Sequence, residues 1–363
     1  MNNQLTDHQQ RTVYMEELSN PGWVPFDLVE IDHSIWVDWR FIGETRLLEP
    51  RFEVTVRRHA PTVHTPTVHT PTVHTPTVHT PTVHTPSIHT PFNAAPRSFL
   101  TGIEALDDSP SGDILPLAGI IFHASRCGST LLSQLFATSS RLSVLSEPPI
   151  IESLIDWSSR QGGYHLKRLT ARLGNAIAYL TRCRRKGEER SLLKVESQQI
   201  LDQPLFKSLY PEVPWIFLYR EPEAILFSQF CQRGRQMVPG MINPTRLDRQ
   251  PSEIDPAKLD DYCALVTEKT FSAALDSLAE SGKNTVHYKQ LPDYAWQKAN
   301  QLFSVGLTQE DIESMRQRCQ FNSKSSSLQF SGGTSQKVMP EFLKKLARGK
   351  LKDMYLQLNS ASN

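Results

Sequence analysis

The chain has 363 residues, enough to bury a substantial core as one large domain with or without a small appendage. Its 39 basic and 38 acidic residues nearly cancel, so bulk charge points to neither nucleic acid nor a membrane surface. The five cysteines are scattered without a C-x-x-C pair, which argues against a disulfide framework or a zinc site and for a reducing compartment.

The first thirty residues are polar and acidic, with no apolar core for a signal peptide. No apolar run approaches the roughly 18 residues of a membrane-spanning helix. The sequence thus predicts a cytoplasmic protein without a membrane or nucleic-acid partner. It carries no signal for oligomeric state.

In chain order, residues 1–60 predict an N-terminal cap. The stretch from Pro21 to Val56 alternates apolar and polar residues in places and is rich in Trp and Phe, which suggests short strands. Trp23, Trp36, Trp39 and, further on, Trp157 are candidates for either core or an acceptor pocket. Residues 61–91 are a low-complexity segment, five copies of PTVHT followed by PSIHT. A proline every fifth residue removes backbone donors and turns the preceding Thr away from helical angles, so polyproline II or disorder is expected. The repeats hold six of the twelve histidines, which raises metal binding. In a three-residue-per-turn helix, however, same-face histidines lie about 45 Å apart, too far to share an ion. A tether is the simpler expectation.

Residues 92–363 predict an α/β domain. Apolar, β-rich runs recur at 119–123, 142–146, 192–195, 215–219 and 284–288, with helical patterns at 129–139, 165–186, 222–235 and 258–281. Short apolar strands alternating with helices imply right-handed crossovers and a mainly parallel sheet covered on both faces. Tail helices are expected at 291–303, 308–319 and 340–357.

Ligands of open parallel sheets bind outside the carboxyl ends of the strands. The polar residues expected there are Arg126 with Gly128, Ser129 and Thr130 after the first strand and Glu147 after the second. Lys194 stands on the third, and Arg220, followed by Ser228, ends the fourth. A Gly-containing turn entering a helix offers backbone N–H groups and a helix dipole to an anion, and Arg126 adds a charge-assisted contact. The loop lacks the G-x-x-x-x-G-K-[ST] pattern of nucleoside-triphosphate sites, since Ser129 follows Gly128. A cysteine phosphatase needs Cys-x5-Arg, but Ser133 stands six residues after Cys127, so Cys127 reads as a packing residue. His123 is expected to pack or bond locally, and His165 has no motif behind it.

These residues resemble the sulfotransferase family. Its members have a three-layer, P-loop NTPase-like fold and use 3′-phosphoadenosine 5′-phosphosulfate without a metal. Their 5′-phosphosulfate loop is similar to "SRCGSTLL" here. Their 3′-phosphate motif, R-[DE]-P-x5-S, is matched by Arg220 and Ser228 in "FLYREPEAILFSQ". The resemblance covers residues 119–235. It implies donor binding by Arg126, Cys127, Gly128, Ser129, Thr130, Arg220 and Ser228. The arginine at 126, in place of the lysine of the cytosolic enzymes, is closer to the Golgi-type and bacterial branches.

It further implies a glutamate general base at Glu147, 21 residues beyond Arg126, as in the protein-tyrosine enzymes. The alternative for Glu147 is an ion pair with Arg126. Lys194 is either a charge stabiliser at the transferring group or a solvated strand end. The C-terminal "RKG" motif of the cytosolic enzymes is absent, and "SGGTSQK" with Lys324 is its weak replacement.

The function so implied is transfer of a sulfuryl group to a hydroxyl or amine of a small-molecule or peptide acceptor. Sulfuryl transfer asks mainly for positioning and for charge stabilisation on equatorial oxygens. An ATP-dependent phosphotransferase and a non-catalytic nucleotide-binding scaffold are the competing assignments.

Overall fold

The computed structural model describes residues 14–60, 97–161, 166–281, 284–322, 325–329 and 338–361. The repeats, His165, Lys324 and the "SGGTSQK" segment lie outside the described residues.

The body is an α/β unit built on five strands: β4 (Leu117–His123), β5 (Leu142–Ser146), β6 (Arg190–Lys194), β7 (Trp215–Tyr219) and β8 (Thr285–His287). All four pairings are parallel, in the order β5-β6-β4-β7-β8. The α/β class and parallel sheet expected from the apolar runs are therefore what the chain forms. The centres of β4 to β7 are buried on both faces, as a doubly covered sheet requires. Phe122 packs edge-on against Phe206 and Trp215, and Phe217 against Phe271. Gly119 admits the Phe303 ring so closely that a Cβ there would stand 2.2 Å from it.

The chain leaves β4 to form β5 at one edge, returns to place β6 between them, then crosses to β7 on the other side of β4. That reversal puts the carboxyl end of β4 at the switch point of the sheet, where a crevice opens. Helix α2 (Ser129–Phe136) follows β4, α3 (Pro149–Arg160) follows β5, α4 (Leu166–Leu180) precedes β6, and α6 (Pro222–Cys231) follows β7. The short α5 (Gln203–Leu209) lies between β6 and β7.

The N-terminal segment forms β1 (Trp23–Ile31), β2 (Ser34–Phe41) and α1 (Phe52–His59). The third strand of its antiparallel sheet, β3 (Ser98–Gly102), comes from beyond the repeats and pairs with β2. The small sheet thus draws strands from both sides of residues 61–96. The described ends of that insertion meet: Arg97 donates to the His59 carbonyl at 2.6 Å, and Arg40 to the Ala60 carbonyl at 3.1 Å.

Arg182, fully buried, fastens the segment to the body by donating to the carbonyls of Leu18 and Trp23 while its guanidinium lies 4.8 Å from the Tyr179 ring. Trp23, Trp36 and Trp39 are core residues, with Trp39 edge-on to Tyr179.

Several helix boundaries differ from the sequence reading. Helix α6 stops at Cys231 rather than running to 235, and residues 232–234 become a loop leading to a 3-10 turn at Arg235–Met237, with residues 232–236 lining the crevice. The pattern at 291–303 forms one helical run over 293–302, π-wound at Ala295–Ala299. The pattern at 340–357 is two helices, Glu341–Ala347 and Lys350–Ala361.

Candidate active site

A cleft of about 1040 Å³ opens at the carboxyl end of β4. Its wall includes Arg126, Cys127, Gly128, Ser129, Thr130, Glu147, Arg220 and Ser228, so these predicted site residues share one cavity. Lys194 is not in the wall. It is fully buried behind Glu147 instead of standing at a solvated strand end. None of Trp23, Trp36, Trp39 and Trp157 lines the cleft.

The loop between β4 and α2 owes its shape to two left-handed residues, Arg126 (φ 59°) and Gly128 (φ 89°). A non-glycine residue in that region is strained, and such strain collects at functional loops. At Gly128 no side chain fits, because a Cβ would lie 2.8 Å from Cδ2 of Tyr288. The same Tyr288 ring supports the Arg220 guanidinium, 4.4 Å from its centroid. Tyr288 therefore touches both the loop and the arginine that follows β7.

Gly128 caps α2, whose first-turn N–H groups belong to Ser129 and Thr130. Ser125 accepts hydrogen bonds from Gln229 at 2.6 Å and from Gln236 at 3.2 Å, which ties the loop to α6 and to the segment after it. Arg126 donates to the Gln232 carbonyl. Burial, then the neighbouring Arg51, lowers the affinity of its guanidinium for its proton. Burial pushes the Cys127 thiol up to about 12, which suits a packing residue and not a nucleophile.

Glu147 follows β5 with φ 56°, just before Pro148 and Pro149. Its backbone N–H continues the ladder to the Lys194 carbonyl at 2.7 Å. Its carboxylate meets three basic side chains. Oε1 lies 2.8 Å from Lys194 Nζ and 3.4 Å from His123 Nε2, and Oε2 lies 3.0 Å from Arg51 Nε. Burial favours the neutral acid, but Lys194, the His123 hydrogen bond and Arg51 outweigh it and hold the group well below the usual carboxylate range. The partners of Glu147 are thus Lys194, His123 and Arg51, not Arg126.

His123 does bond locally, with Nδ1 3.1 Å from the Ala124 carbonyl and Nε2 3.0 Å from that of Val195. Behind this group, burial and the Glu147 charge raise the Glu196 carboxyl to about 8.

Arg51, Glu196, Gln229 and Gln236 were not legible as site residues. Arg51 reaches the cleft from the far side of the repeats, and the glutamines carry no spacing motif. Among the described residues, no three His, Cys, Asp or Glu side chains group as metal ligands, and no helix is long and apolar enough to cross a membrane.

No family model and no curated protein matches the chain. Among solved structures it is similar to sulfotransferase STF9 from Mycobacterium avium, at 13% identity over 70% of this chain and 78% of that one, with a TM-score of 0.39. It is also similar to sulfotransferase STF1 from Mycobacterium tuberculosis H37Rv, at 12% identity over 65% and 77%, again with a TM-score of 0.39. Similarities this distant assign no function.

Proposed function

We propose that the chain is a sulfotransferase that moves a sulfuryl group from 3′-phosphoadenosine 5′-phosphosulfate to a hydroxyl or amine acceptor without a metal. The observation that carries this reading is the convergence of two separate anion-binding elements, the 125–130 loop and the Arg220/Ser228 pair, with a carboxylate in one cleft. A donor with phosphates at both ends of a nucleoside needs two such elements. Tyr288 contacts both elements and lines the cleft.

In this reading the loop amides, the start of α2 and Arg126 hold the phosphosulfate and offset charge on its equatorial oxygens. Arg220 and Ser228 hold the 3′-phosphate. Glu147 accepts the acceptor's proton, and the cations around it keep it in the ionised form that can do so. Lys194, buried and paired, positions Glu147 and does not touch the transferring group. Lys324, which lies outside the described residues, has no role here. In this reading the acceptor meets the part of the cleft lined by Arg51, Val54 and Arg58 of the α1 region.

The chemical test is transfer of label from 35S-donor to phenol, alcohol and amine acceptors. Label moving from the donor supports the reading. Label moving instead from γ-32P-ATP with magnesium would replace it with a phosphotransferase.

A further inference from the structure

Arg51 belongs to none of the strand-end motifs, yet it makes the cleft's most exposed contact with Glu147. It is the residue before α1, and its Nε lies 3.0 Å from Glu147 Oε2. Lys194 and His123 engage Oε1. Each carboxylate oxygen therefore has a cation against it, and Oε2, which is buried and accepts no hydrogen bond, is covered by the Arg51 ion contact.

The three partners differ in freedom. Lys194 is fully buried, and His123 is buried and held by two backbone carbonyls. The Arg51 side chain is 47% exposed and lines the cleft, so it can turn away from Glu147 without opening the core. Arg126 lines the same cleft from the loop after β4, and the two guanidiniums repel. Two like charges held at one cavity wall are relieved when an anion enters between them. The charged and titratable groups around Glu147 are Lys194 on β6, His123 on β4, Arg51 before α1, Arg126 in the loop and Glu196 after β6.

We infer that Arg51 couples donor binding to release of the base: it covers Glu147 Oε2 before the donor binds, and turns to the sulfuryl oxygens, opposite Arg126, once it is bound. This rests on the sulfuryl-transfer reading. The acceptor oxygen then bonds to sulfur, and the bond from sulfur to the 5′-phosphate oxygen breaks with its electron pair left on the phosphate. The acceptor proton passes to the uncovered Oε2 and afterwards to water. In this account Arg51 prevents Glu147 from acting on an acceptor that arrives first.

Calorimetric titration of the full chain with the intact donor and with 3′-phosphoadenosine 5′-phosphate, which lacks only the sulfuryl group, tests the inference. Arg51→Ala should weaken the intact donor about tenfold or more and the bisphosphate less than about twofold. Arg51→Lys should restore part of the loss. Glu147→Gln, which frees Arg51, should tighten the intact donor and leave the bisphosphate unchanged. Bisphosphate binding also reports that each variant is folded. Equal weakening of both ligands in Arg51→Ala, or no change in either, would overturn the role of Arg51 and leave the sulfuryl-transfer reading standing. Failure of the wild-type chain to bind either nucleotide would overturn both.

Discussion

The ammonium of Lys194 stands 2.8 Å from Oε1 of Glu147, across the carboxyl ends of two neighbouring parallel strands. Both groups are buried, so each makes the other's charge tolerable. Removing one partner of such a pair leaves an uncompensated charge, which commonly costs about 3–5 kcal/mol. Because His123 and Arg51 still face Glu147, Lys194→Met should cost about 3 kcal/mol, at the low end of that range. Adding Glu147→Gln should recover a good part of it. Urea denaturation of the two variants checks this, and a double variant less stable than Lys194→Met alone would contradict the pairing.

Glu196 gives the fold a pH dependence of opposite sign to that of Glu147. Burial and the Glu147 charge raise its carboxyl to about 8, above the value it has in an unfolded chain. Between those two values the folded protein binds more protons than the unfolded one, so stability falls as pH rises through this window. Glu196→Gln keeps an acceptor oxygen for the Gln199 N–H that the glutamate caps. The variant should melt above the wild type at pH 8–9, and the advantage should shrink toward pH 5. Thermal melts across that range decide it, and an advantage that grows on acidification would contradict the assignment.

The insertion of residues 61–96 begins and ends at one point, because Arg97 bonds the His59 carbonyl and Arg40 the Ala60 carbonyl. A segment so attached cannot hold two domains apart, and it can be shortened without moving its ends. Deleting residues 61–90 should leave the fold and nucleotide binding intact. Loop-closure entropy alone predicts a gain of about 1–2 kcal/mol. Circular dichroism melts of the deletion check both statements, and loss of cooperative unfolding would show that the repeats are part of the fold.

The parallel sheet was legible because a strand buried on both faces must be a short apolar run, and runs such as IIF, LSVL and WIFLY announce it. Arg220 was legible because it immediately follows such a run, and Arg126 because it stands in the short turn just after one. Strand β3 was not, since its partner β2 lies across the repeats and long-range pairing leaves no local pattern. The same separation hid Arg51. For Lys194 the position was legible but not the environment: a lysine ending a strand looks solvated until Glu147 is seen folding back over it. The helix expected at 340–357 misled because its apolar periodicity continues through the break between Ala347 and Lys350.

Arg220 rests on Tyr288 with its guanidinium open to the cleft. Arg220→Ala should weaken binding of 3′-phosphoadenosine 5′-phosphate by about 1.5–3 kcal/mol, the worth of a hydrogen bond to a charged group. Adenosine 5′-phosphate, which lacks the 3′-phosphate, should bind the variant and the wild type alike. Equal losses for both ligands in calorimetry would place Arg220 elsewhere on the nucleotide.

The two-anion cleft is tested most directly by calorimetric titration of the wild-type chain with 3′-phosphoadenosine 5′-phosphate and, separately, with ATP and magnesium. The account predicts saturable binding of the bisphosphate at one site and at least about tenfold weaker binding of ATP–magnesium, since no loop lysine meets a γ-phosphate. Tight binding of ATP–magnesium with none of the bisphosphate would contradict it.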